Sequence, residues 1–200
     1  QQPDLVIAGE YNDTAMLHLL RQLGYRVEVV RVPRDLAEAS AFILHFGELV
    51  GAQKNAQALV AQMQQQLDVL DAQVSAIDAK NLSAKKPLAA VYAPNGMTPG
   101  RNTVMAEILA RAGFRNLASE IGLDGYGQLS LERLLIAQPD ALIFEATADA
   151  NGGGSIAHSY LHHPVLQDLA RRVPSVTMPP PLSECVGPMT VAAIRRLVNM

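Results

Sequence analysis

The stretch Gln138–Phe144, QPDALIF, decides the fold, because Gln2–Ala8 carries almost the same sequence, QPDLVIA. In each copy the proline ends any preceding helix, and a short continuous apolar run follows the aspartate. Such a run is typical of a parallel strand covered by helices on both faces. A polar loop containing an acid follows each run, and ligands of open α/β sheets bind at this end of the strands. The repeat therefore predicts two similar α/β units.

The composition permits a packed core and argues against a nucleic-acid partner and a membrane-spanning helix. The 200 residues are 49% hydrophobic and carry a formal net charge of −3, without a basic cluster. We therefore expect no nucleic-acid partner. No apolar run approaches the roughly 18 residues of a membrane-spanning helix. The single cysteine, Cys185, excludes an internal disulfide.

A proline-free stretch from Asp35 to about Lys80 predicts helical structure, interrupted at Gly47 and Gly51. We expect one continuous helix over residues 56–77, because apolar residues step by three and four along it. These residues are Val60, Met63, Leu67, Leu70, Val74 and Ile77. The stripe fits a helix packed on its own protein or the seam of a coiled-coil dimer. Its short length, under four heptads, favours the first interpretation.

The order of the elements predicts three segments. Residues 1–34 form an amino-terminal α/β lobe, and residues 35–84 form a helical linker that contains the long bridging helix. Residues 85–200 form a carboxyl-terminal α/β lobe. We thus expect an α/β protein whose two lobes, each with a parallel sheet, are bridged by a long α-helix.

Four stretches carry a resemblance to a known family: PDLVIA (3–8), HFGELVGAQKNAQAL (45–59), EILARAGFRNLASEIG (107–122) and SLERLLIAQPDALIF (130–144). In order and spacing they resemble the helical-backbone periplasmic binding proteins of ABC importers, which carry vitamin B12, haem and ferric siderophores. The resemblance covers nearly the whole chain. Members of the family usually have about two more βα units before the first strand, so the amino-terminal lobe is expected to be incomplete.

The resemblance implies binding rather than catalysis. The expected function is capture of a metal chelate or tetrapyrrole (ferric siderophore, haem or cobalamin) in an interlobe cleft, followed by delivery to an ABC permease in the inner membrane. The expected protein is a monomer without a resident cofactor or metal, periplasmic or lipid-anchored outside the cytoplasm. The identity of the solute stays open.

Several candidate ligand-binding residues follow predicted strands. Tyr126, between Gly125 and Gly127, lies where the family places an aromatic ring against its ligand, and its expected site is an exposed turn. Tyr11 is the expected counterpart in the first lobe, with Glu10 beside it. The loop 94–102, PNGMTPGRN, adds further polar candidates: Asn95, Thr98 and Arg101. Arg101 can bind a carboxylate or phosphate through two hydrogen bonds.

The remaining candidates rest on the resemblance. In the family the loop before the last helix reaches the cleft, so Ser183, Glu184 and Cys185 are candidates for ligand contact, although Cys185 equally fits a small buried filler. Glu132 is implied to dock onto an arginine of the permease, or else simply complements the dipole of its helix.

Asp13 is the matching acid expected on the first lobe, with Glu10 as the alternative. Leu131, Leu134 and Leu135 are expected to anchor the helix of Glu132 in the core.

The spacing of His158, His162 and His163 leaves a second function open. Two imidazoles four residues apart share a helix face and can bind zinc, so a metal-dependent hydrolase using His158 and His162 is an alternative. No glutamate stands between them as in the HExxH arrangement, and Pro164 follows directly. A helical dimerisation module is the remaining alternative.

Overall fold

The computed structural model describes residues 3–80, 85–145, 163–183 and 186–200. The chain divides into two compact units, Gln1–Pro33 and Arg34–Met200. The helical segment 35–80 therefore belongs to the same compact unit as the carboxyl-terminal α/β segment. Within the described ranges, no helix combines the length and apolar character that crossing a bilayer requires.

The first unit is one strand–helix–strand crossover. It consists of β1 (Val6–Gly9), α1 (Thr14–Gln22) and β2 (Val27–Val30), and the two strands pair in parallel with Val6 opposite Val27. Asp13 begins the helix, because its Oδ1 accepts a hydrogen bond from the Met16 N–H at 2.9 Å. Among the described residues of this unit only Ala8 and Leu17 are buried.

The strands of the second unit form two sheets. In chain order they are β3 (Leu88–Tyr92), β4 (Met97–Pro99), β5 (Arg115–Asn116), β6 (Tyr126–Gln128), β7 (Ala141–Glu145) and β8 (Ser175–Met178). The main sheet is parallel with the order β5-β3-β7-β8, while β4 and β6 form a small antiparallel sheet. The QPDALIF stretch therefore supplies a central strand, as the sequence predicts.

Eight helices of the second unit lie within the described residues. They are α2 (Leu36–Leu49), α3 (Gln53–Lys80), α4 (Val104–Arg111), α5 (Leu117–Glu120), α6 (Leu131–Ala137), α7 (Pro164–Arg172), α8 (Pro180–Ser183) and α9 (Pro188–Val198). Side chains cap several of them. Asp35, Thr103 and Ser130 each accept a hydrogen bond from the backbone of the first helical turn.

Helices cover both faces of the main sheet, because successive side chains of its strands point to opposite faces. On one face Ala89, Val91 and Ile143 join the core formed with α3, α4 and α9. On the other face Leu88, Ala90 and Leu142 pack with side chains of α6 and α7. The architecture is α/β with parallel sheets and a long helix, which confirms the predicted fold class.

The long helix is continuous from Gln53 to Lys80, as the apolar stripe predicts. Met63, Leu67 and Leu70 are buried in the core of the same chain, so the alternative of a coiled-coil seam along this stripe is wrong. The ends of the stripe differ from the expectation, since Val60 is half-buried and Ile77 is exposed. The apolar period of α3 continues beyond the core that covers it.

Helices α2 and α3 meet at two small residues. Gly47 lies inside α2 and is buried, whereas the chain between the helices turns at Gly51. A Cβ atom on Gly47 would stand 2.4 Å from the Ala56 Cβ of α3, closer than two carbon atoms can approach. Only glycine at position 47 therefore allows this helix pair to pack so closely.

Candidate functional site

One face of the β4–β6 sheet is exposed except at Pro99, whereas Thr98 on the other face is buried. Met97 pairs with Gln128, Thr98 with Gly127, and Pro99 with Tyr126. Met97, Gln128 and Tyr126 are exposed, and the Tyr126 side chain retains 65% of its accessible surface. Tyr126 thus lies on a hydrogen-bonded strand rather than on the expected turn, and this pairing fixes the backbone from which its ring projects.

Arg101 and Asn102 follow the end of this sheet. The Arg101 N–H donates to the Leu123 carbonyl at 2.9 Å, and the Arg101 carbonyl accepts from the Gly125 N–H at 2.8 Å. The Asn102 side chain donates to Asp124 Oδ1 at 2.8 Å. Arg101 is exposed, and its guanidinium makes no ion pair with any described residue. A cation is therefore available beside the strand that carries Tyr126.

A polar cavity of about 1050 Å³ adjoins this end of the sheet within the second unit. Its wall includes Asn102, Asp124 and Gly125 from the segments just described, and α2, α3 and α4 complete it. The charged residues of the wall are Arg34, Asp35, Glu38, Glu107, Arg111 and Asp124. The cavity is large enough for a small-molecule ligand.

The charged groups of the cavity wall mostly bind one another. Glu107 accepts a hydrogen bond from the Leu36 N–H at 2.8 Å and another from Arg111 Nε at 2.9 Å. Arg111 also contacts Asp71 of α3 at 2.8 Å. Partial burial lowers the pKa of Arg111, but the hydrogen bond to Glu107 and the charge of Asp71 outweigh it, so the pKa of this guanidinium is raised. The network joins α2, α3 and α4.

Two predicted ligand-binding residues lie in the interior instead. The loop 94–102 is not an open polar loop, because a 3₁₀ turn (Pro94–Gly96) and β4 occupy it. Thr98 is expected to present its hydroxyl to a ligand, but it is fully buried and its hydroxyl does not reach solvent. Ser183 is buried at the end of α8 and its hydroxyl donates to the Pro180 carbonyl at 3.4 Å. Asn95, in contrast, is exposed.

In the first unit the predicted residues have distinct surroundings. Tyr11 is 85% exposed just after β1. The Glu10 side chain accepts a hydrogen bond from the Val32 N–H at 3.2 Å, which extends the β1–β2 pairing by side-chain contact. The Asp13 carboxylate caps α1. Of these three, Tyr11 presents most of its side chain to solvent.

Glu132 lies in the first turn of α6 and is exposed. It makes no ion pair with the described residues of the chain. Leu134 anchors α6 in the core and Leu131 is partly buried there. Leu135 does not serve as the expected anchor, because it is exposed.

Sequence reasoning missed two residues of this surface, Met97 and Asp124, and placed Gln128 only on a polar rim beside Glu132. MTP and YGQ are each three residues long, too short for a period of two to be recognised. Once the pairing is known, Met97 and Gln128 belong to the exposed face with Tyr126.

The predicted histidine site lies outside the described residues, as do Glu184 and Cys185. His158 and His162 both fall in that part of the chain, whereas His163 caps α7 by accepting a hydrogen bond from the Val165 N–H at 3.3 Å. Among the described residues, no three His, Cys, Asp or Glu side chains stand close enough to share a metal ion.

Comparison with known proteins identifies the family. The sequence model described as periplasmic binding protein matches residues 1–167. The chain is a member of the periplasmic binding protein family. This membership confirms the predicted family and, with it, the predicted extracytoplasmic class.

A curated relative of this binding protein is the ABC transporter substrate-binding lipoprotein YvrC of Bacillus subtilis. The two are 30% identical over 146 residues, which make up 71% of the chain and 45% of the relative. The chain thus spans less than half the length of the curated relative that it matches.

Solved structures of similar fold include two haem-binding proteins. The periplasmic heme-binding protein RhuT from Roseiflexus sp. RS-1 matches with a TM-score of 0.78 at 23% identity, over 98% of this chain and 74% of that one. A periplasmic heme binding protein from Pseudomonas aeruginosa matches with a TM-score of 0.76 at 25% identity, over 98% and 71%. Both support the fold of the binding protein.

Proposed function

We propose that the chain is the solute-capturing component of an ABC importer and binds a metal chelate or tetrapyrrole, namely haem, cobalamin or a ferric siderophore. Membership in the binding-protein family supports capture rather than catalysis. The curated relative is a substrate-binding lipoprotein of an ABC transporter, and two relatives of similar fold bind haem.

The observation that carries this proposal is the exposed Tyr126 ring on the β4–β6 sheet, with the exposed Arg101 after it. A rigid ring offers a large planar contact at little cost in conformational entropy. The arginine supplies a donor for a carboxylate of the solute. Haem and many siderophores combine a broad apolar surface with acidic groups, which this pair of side chains matches.

Titration of the purified chain with haem, cobalamin and a ferric hydroxamate, followed by absorbance, tests the proposal. For the solute that binds, Tyr126→Ala should weaken affinity about tenfold or more, since a buried aromatic anchor contributes about 1–3 kcal/mol. Arg101→Ala should weaken binding of haem, which carries two carboxylates, more than that of cobalamin, whose side chains are amides. Val69→Ala, which truncates a 55% exposed side chain on α3, is the matched control.

Failure of all three solutes to bind would contradict the proposed solute class. An unchanged dissociation constant in Tyr126→Ala would contradict this surface as the site. Tyr11→Ala tests the first unit's residue separately, by the same titration.

We further propose that Glu132 docks onto a cation of the permease. Glu132 is exposed without an ion pair to described residues, whereas the carboxylate of Asp13 is engaged as a helix cap. Loss of such a rim charge slows association without changing the solute site. Glu132→Ala should therefore bind solute normally and support less uptake through its own permease in reconstituted vesicles, with Glu132→Lys worse than Glu132→Ala.

A further inference from the structure

Helix α6 exposes an apolar side chain that no described element of the chain covers. Ile136 is 82% exposed, the largest value for any large aliphatic side chain among the described residues. Leu135 beside it is also exposed. Single exposed apolar residues are ordinary, but two adjacent ones on a short helix form a small patch that a partner can bury.

The patch shares a helix face with Glu132. Residues three and four positions apart on a helix are neighbours at its surface, so Leu135 and Ile136 lie beside Glu132. We call these three residues the α6 face. Arg133 stands three positions before Ile136 and is also exposed. The α6 face therefore places an apolar centre next to charged residues.

The opposite side of α6 fixes this face in space. Leu134 is fully buried in the core between α6, α7 and the main sheet. Ser130 caps the helix, accepting a hydrogen bond from the Arg133 N–H at 3.3 Å. A face held this way loses little conformational entropy when it binds, as a preformed docking site requires.

We propose that Ile136, with Leu135, is the apolar anchor of permease docking and inserts into an apolar recess next to the cation that receives Glu132. This inference rests on the docking role proposed for Glu132. The chemistry of the partner follows from the face. An exposed carboxylate without an ion pair calls for a cation, and an adjoining isoleucine calls for a recess of matching shape. Interfaces of this kind have an apolar centre and a charged rim.

The two kinds of residue should act on different steps of docking. The rim charge of Glu132 steers the encounter and governs association, more strongly at low salt. Burial of Ile136 acts after the encounter and governs how long the complex persists, largely independently of salt.

The test compares Ile136→Ser, Glu132→Ala and Val69→Ser, in which Val69 is another exposed aliphatic residue of the second unit. Docking kinetics are measured on its own ABC permease in lipid vesicles at low and high salt, with protein-free vesicles as the blank. Ile136→Ser should weaken docking about tenfold at both salt concentrations, mainly through faster dissociation. Glu132→Ala should slow association mainly at low salt, and Val69→Ser should dock normally. Melting temperature and solute affinity should be unchanged in all three.

Four other results would each overturn the inference. Normal docking of Ile136→Ser together with weak docking of Glu132→Ala would overturn the anchor and leave the proposed docking role intact. Normal docking of both would overturn the docking role itself. Binding of the wild-type chain to protein-free vesicles, lost in Ile136→Ser, would assign the patch to lipid and overturn the inference. A wild-type dimer in sedimentation that Ile136→Ser dissociates would assign it to a second copy, with the same consequence.

Discussion

Two strands with almost the same sequence reach very different degrees of burial in the two compact units. In β7 of the second unit Ala141, Leu142 and Ile143 are buried, whereas in β1 of the first unit only Ala8 is. The reason is the number of neighbours, because β7 pairs with β3 and β8 and has helices on both faces, while β1 pairs with β2 alone among the strands that the structure describes. The sequence of a strand therefore sets its capacity to be buried, and the surrounding elements decide whether that capacity is used.

A charge placed in the core of the second unit should destabilise that unit strongly. Leu67→Asp places a carboxylate without a partner in the core between α3, α4 and α9, at a loss of about 4 kcal/mol in the free energy of unfolding. We expect a large fall in melting temperature, measured by circular dichroism. Val69→Asp introduces the same charge at an exposed position of the same helix and should leave the melting temperature nearly unchanged. Equal losses in the two variants would show that α3 is not packed as described.

Truncation of the main buried side chain of the first unit should destabilise that unit less than a charge destabilises the core of the second. Leu17→Ala removes the only buried residue of α1, and a buried leucine truncated to alanine costs about 2–5 kcal/mol, less where surroundings relax. We expect a loss near the lower end, about 2 kcal/mol, confined to this unit. Hydrogen exchange read by mass spectrometry should show faster exchange in α1 and β2 and unchanged protection in α3 and β3. Faster exchange in both units would contradict the confinement of the loss to the first unit.

One glycine in each unit shows how closely its surroundings are packed, and the smallest expected effects on stability concern these two positions. Gly47→Ala gains about 1 kcal/mol in helix propensity but forces a Cβ against Ala56, and overpacking costs typically 1–3 kcal/mol. We expect a net loss of about 1 kcal/mol in chemical denaturation of the second unit. Gly24 of the first unit has a φ of +85° with no atom within 4 Å of an added Cβ.

Gly24→Ala should therefore cost only backbone strain, and Gly24→Asn should recover part of that cost, because asparagine adopts the left-handed region more readily. For Gly47 no such recovery is expected, since every side chain adds a Cβ. Recovery of stability by Gly47→Asn would contradict the close helix contact.

Elements with a strong apolar period were predictable from the sequence, and surfaces built by pairing were not. The steps of three and four from Met63 to Val74 predict α3 correctly, and a residue such as Thr103 or Ser130 marks where a helix begins. The antiparallel pairing of β4 with β6 joins segments that are distant in sequence, and it is this pairing that buries Thr98 and exposes Met97. Local propensity carries no information on such a partner. The same limit applies to Ile136, whose exposure depends on what the core leaves uncovered.

The order of strands in the main sheet has a consequence for biosynthesis. Ala89 of β3 pairs with Ala141 of β7, about fifty residues later in the chain. At a synthesis rate of about 5–20 residues per second, β3 emerges from the ribosome roughly 3–10 s before its central partner exists. Throughout that interval the apolar run LAAVY, buried in the finished protein, lacks its neighbour β7, and for roughly the first half of it the run lacks its other neighbour β5 as well. The nascent chain therefore exposes an apolar segment that chaperones can bind during each round of translation. A slow codon between residues 92 and 141 would prolong that exposure.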